Sequence, residues 1–80
     1  MRWIDLKNAV TDGTADNFGA LLFRMLLKAD SENWAKLRKG YPLEAEMARI
    51  FHGQECPYKD KARSDVDWEK IEEMALVEIV

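Results

Sequence analysis

The sequence predicts an all-α fold, a small bundle of four main helices with a short fifth at the N-terminus. Three observations carry this. Apolar residues recur at helical spacings in five separate stretches. Caps, prolines and glycines punctuate the gaps between them. The composition, 48% hydrophobic and 34% charged, is that of a folded globular domain.

The elements follow in chain order. Trp3, Leu6 and Val10 stand at i, i+3 and i+7, a short helical stripe. Residues 2–6 also nearly alternate, which fits a short strand, and helix is the reading adopted. Thr11, Asp12, Gly13 and Thr14 form a break with turn chemistry, after which Thr14 or Asp16 is expected to cap the second helix. That helix is expected to reach about Ala29. Its residues 18–27 are apolar over more than one face, because Phe23 and Leu27 lie off the stripe of Phe18, Leu22, Met25 and Leu26. Asp30 and Ser31 are N-cap residues for a third helix over residues 32–39, with Trp34 and Leu37 inward. Gly40 is expected to supply a left-handed stop, and Pro42 to open the fourth helix over residues 42–52. There Leu43, Met47, Ile50 and Phe51 make the inner stripe. Residues 53–63 read as a polar loop, longer than the usual connection of about 4–6 residues. Ser64 is expected to cap the last helix, with Trp68, Ile71 and Ala75 inward. Residues 76–80 fit either a docked helix end or an extended tail. The core expectation is a central helix over residues 18–27 with the other stripes packed around it.

Eighty residues make one domain over residues 1–80, with a thin core. The single cysteine, Cys56, rules out a disulfide within the chain and fits a reducing compartment. The longest apolar run, at residues 18–27, is about half of the ~20 residues a spanning helix needs, and the N-terminus lacks a signal-peptide core. The expected location is the cytoplasm, with no membrane partner. The net charge of −3 disfavours binding by phosphate neutralisation.

The pattern Ala29-Asp30, Asn33, Lys36-Leu37, Gly40-Tyr41-Pro42 and Glu44 resembles a segment of small phage- and prophage-encoded proteins of unknown function. It covers about a fifth of the chain, residues 29–44. The resemblance implies a phage or mobile-element origin and no activity.

Several constellations bear on chemistry. The helices around Gly40 and Pro42 suggest a helix-turn-helix, but Ala35 stands one position too far before Gly40 for the small residue of that motif. Glu44 and Glu46 would meet phosphates at the start of the second helix. A basic patch of Arg24, Lys28, Lys36, Arg38 and Lys39 could touch nucleic acid if its members shared a face, against the plainer reading of solvated charges and helix-dipole compensation. Residues 24–39 carry five basic and two acidic side chains, net +3, and residues 55–80 four basic and eight acidic, net −4. That asymmetry suits intersubunit attraction as well as nucleic acid. His52 and Cys56 would need carboxylates such as Glu55 or Asp60 to complete a zinc site. Cys56 lacks an evident partner orienting His52 for nucleophilic catalysis. Asp65, Asp67, Glu69, Glu72 and Glu73 lack the glycine and spacing of a calcium loop. Trp3, Trp34 and Trp68 read as core, with an interface anchor as the alternative.

No cofactor, metal, small-molecule substrate or catalytic residue is implied. The expectation is a non-enzymatic interaction or structural module, self-associating or bound to another protein. Its candidate interface is Phe18, Leu22, Phe23, Leu26, Leu27 and Trp34. The alternative is a nucleic-acid-associated regulator using the basic patch.

Overall fold

The computed structural model describes residues 2–12, 14–52 and 66–79. Five helices run in order: α1 (Arg2–Thr11), α2 (Phe18–Lys28), α3 (Ser31–Gly40), α4 (Pro42–His52) and α5 (Trp68–Ile79). The N-terminal segment is thus helical, and residues 76–79 continue α5. No described helix is long and apolar enough to cross a membrane.

The centre of the bundle is α4, where the sequence places α2. Helix α4 touches all four other helices, and Leu43, Ala45, Met47, Ala48 and Ile50 are buried along it. The short side chains of Ala45 and Ala48 let neighbours approach closely. Leu6 of α1, Leu22, Phe23 and Leu26 of α2, and Trp68, Ile71 and Ala75 of α5 complete the core, together with Val66. Trp3, Trp34, Leu37 and Phe51 pack half-buried around it. Trp34 donates its indole N–H to the Ala45 carbonyl at 3.1 Å. Trp68 stacks at a tilt on Phe51, with centroids 5.3 Å apart, and its buried indole N–H finds no acceptor among the described residues.

Three helix ends differ from the sequence reading. Asn17, rather than Thr14 or Asp16, caps α2 by accepting the Ala20 N–H at 2.9 Å. Thr14 is engaged elsewhere, since its N–H (2.9 Å) and its hydroxyl (2.6 Å) both donate to Asp12 Oδ1. Asp67 caps α5, accepting the Lys70 N–H at 3.1 Å, so the helix begins at Trp68. Ser64 lies outside the described residues. Finally, Gly40 is still helical and no described glycine has a positive φ. The stop comes from Pro42, which has no N–H to continue the helix and biases the residue before it toward extended backbone. Tyr41 has left the helical region, at φ −135°, ψ 66°. This one residue joins the two helices, giving its N–H to Leu37 O and accepting from the Ala45 N–H, each at 2.9 Å. At the start of α3, Asp30 caps as expected, accepting the Asn33 N–H at 2.8 Å.

Two contacts pin the outer helices. Gly19 marks a close crossing of α1 and α2, where a Cβ on Gly19 would lie 2.8 Å from Asp5 Cβ and closer still to its carboxyl group. Helix α3 has no fully buried residue and is clasped to α4 through Glu46. Glu46 is only 5% exposed and accepts from Arg38 Nε at 3.0 Å and Arg49 Nε at 2.8 Å. A buried carboxylate is tolerable only with such partners.

Candidate functional site

Helix α2 follows from its sequence as an apolar helix with two apolar faces, and its neighbours cover only one. Leu22, Phe23 and Leu26 point into the core. Three of the six expected interface residues are therefore packing residues, because α1 and α4 close over them. Leu27 and Trp34 are half-buried, and Phe18 alone of the six is exposed. The uncovered face consists of Phe18, Leu21 and Met25, at i, i+3 and i+7, exposed by 66%, 46% and 55%. Leu21 and Met25 were outside the expected interface.

Helix α3 extends this face. The Tyr41 ring packs on Phe18, with centroids 5.9 Å apart. At the other end of α2 a groove of about 390 Å³ opens between α2 and α3, lined by Met25, Lys28, Ala29, Asn33, Lys36 and Leu37. Its lining thus combines apolar side chains with two lysines. A second depression, about 320 Å³, includes Leu27, Trp34, Arg49 and His52 in its lining.

Three of the five basic residues are engaged by acceptors within the chain. Arg24 turns back to the α1–α2 connection, donating to Ala15 O at 2.5 Å and Asp12 O at 2.7 Å. Arg38 is taken up by Glu46 and lies 5.8 Å from the Trp34 ring centroid. Lys36 pairs with Glu32 at 3.5 Å. Lys28 and Lys36 both line the groove, and Lys39 is exposed at the end of α3. The charges of Arg24, Lys36 and Arg38 are thus partly taken up within the chain.

His52 is exposed at the end of α4, and Cys56, Glu55 and Asp60 lie outside the described residues. Among the described residues, no group of three or more His, Cys, Asp or Glu could hold a metal ion. The Thr14 hydroxyl and N–H, both donating to Asp12, hold its carboxyl below the ordinary 3.8. This belongs to the turn that Arg24 braces, away from the groove.

No family model, curated protein or solved structure matches the chain.

The groove and the exposed face therefore stand on their own geometry. What they offer is a contact surface, apolar along α2 and at Tyr41, with ammonium groups at one end. Sequence periodicity held the signal for Leu21 and Met25, since they share a helical side with Phe18 and Lys28. It did not say which side the bundle would cover.

Proposed function

We propose that this protein is a small non-enzymatic interaction or structural module that self-associates through the exposed face of α2. The observation that carries the reading is the row Phe18, Leu21 and Met25, uncovered and continued by Tyr41. Scattered surface apolar residues are ordinary, whereas a contiguous apolar row is a surface for a partner. A phage or mobile-element setting is part of the proposal, resting on the resemblance of residues 29–44.

Sedimentation equilibrium from micromolar to millimolar concentration tests it. The expected result is a mass that rises with concentration, with association weakened in Met25→Glu. A chain that stays monomeric throughout would refute the reading.

A further inference from the structure

We propose that a second copy of this chain lays the outer face of its α5 on the groove between α2 and α3, so that copies join head to tail. The inference rests on the self-association proposed above and places the contact at the Met25 end of the exposed face, where the groove opens.

Helix α5 turns Trp68, Ile71 and Ala75 inward. At about 100° per residue, Glu69, Lys70, Glu73, Leu76 and Val77 fall together on the outer side. Leu76 is 41% exposed and Val77 77%. This second uncovered apolar patch thus carries two carboxylates, one helical turn apart, of which Glu73 is paired with Lys70. The groove presents the complement, Met25 and Leu37 with Lys28 and Lys36. The groove's own charge is that of Lys28 and Lys36, while residues 66–80 hold five acidic side chains and one basic, net −4.

The ion pairs within each face are loose. Lys36 meets Glu32 at 3.5 Å and Lys70 meets Glu73 at 3.4 Å, all four side chains being exposed. Exposed pairs of this kind contribute little and exchange readily. The α5 of the same chain is committed to α4 and α1, so the complementary helix comes from another copy. Because the two faces differ, the contact is heterologous, and it propagates or closes into a ring. The apolar lining of the groove favours this occupant over a phosphate backbone.

The test uses two variants of the full chain, Lys28→Glu/Lys36→Glu and Glu69→Lys/Glu73→Lys, checked for unchanged helicity by circular dichroism. Sedimentation velocity at low salt is run on wild type, on each variant and on their equimolar mixture. Wild type is expected to associate, each variant alone to associate at least tenfold more weakly, and the mixture to recover association, since each copy then meets a face of opposite charge. If wild type associates but the α5 variant does so undiminished, or the mixture shows no recovery, the head-to-tail contact is wrong while self-association stands. If wild type is monomeric at every concentration, both are wrong.

Discussion

Replacing Gly40 by alanine separates two accounts of how α3 ends. If Gly40 were a left-handed stop, a Cβ there would be strained, and the change would cost about 1 kcal/mol or more. In the structure Gly40 is helical, with no positive φ, and nothing lies within 4 Å of an added Cβ. The substitution then costs no packing and removes the extra freedom glycine has in the unfolded chain. In a helix interior that gain is about 0.5–1 kcal/mol. Gly40 occupies the last position of α3, so the lower figure applies, about 0.5 kcal/mol. In a domain of this size that raises Tm by about 2–4 °C. Urea and thermal unfolding of Gly40→Ala, followed by circular dichroism at dilute concentration, measure it. A loss of 1 kcal/mol or more, with no change in the urea m-value, would refute the assignment of the helix stop to Pro42.

Gly19→Ala has the opposite expectation. The new methyl meets Asp5, whose Cβ is fixed to the α1 backbone, so the helices must part, at a cost of about 1–3 kcal/mol in the same assay. Glu46→Gln keeps the shape of the α3–α4 clasp and removes its charge. The two arginines are partly solvated and recover water, so the expected loss is about 1–2 kcal/mol. Arg38→Ala in the Glu46→Gln background should cost less than in wild type, and equal costs would show that Arg38 and Glu46 are uncoupled. In an NMR titration the Asp12 carboxyl should titrate below 3.8 and move upward in Thr14→Ala, whose hydroxyl is the largest cause of the shift. Because the folded value is the lower one, the stability Asp12 contributes is present above the unfolded value and fades as pH falls through the folded one. The stability gap between wild type and Asp12→Ala should therefore close in acid, and a gap unchanged down to complete protonation would contradict this.

The sequence by itself determined the helical class and most of the boundaries. Helix periodicity, the Asp30 cap and the opening of α4 at Pro42 are local properties, set by backbone geometry within a few residues. The same locality explains the misplaced caps. Thr14, Asp16 and Asn17 are all competent acceptors, and the choice went to Asn17 because Asp12 and Arg24 organise the turn before it. Only the tertiary structure decided which apolar face of α2 is covered, that α4 rather than α2 is the hub, and that Arg24 and Arg38 are drawn to acceptors within the chain. Periodicity says which residues share a side of a helix, and the side that faces inward depends on which neighbours pack there. Leu22, Phe23 and Leu26 were taken by α1 and α4, leaving Phe18, Leu21 and Met25 outside. The surplus of apolar residues on α2 was legible in the sequence. Its location on the surface was not, because burial is a property of the whole assembly of helices and not of any one of them.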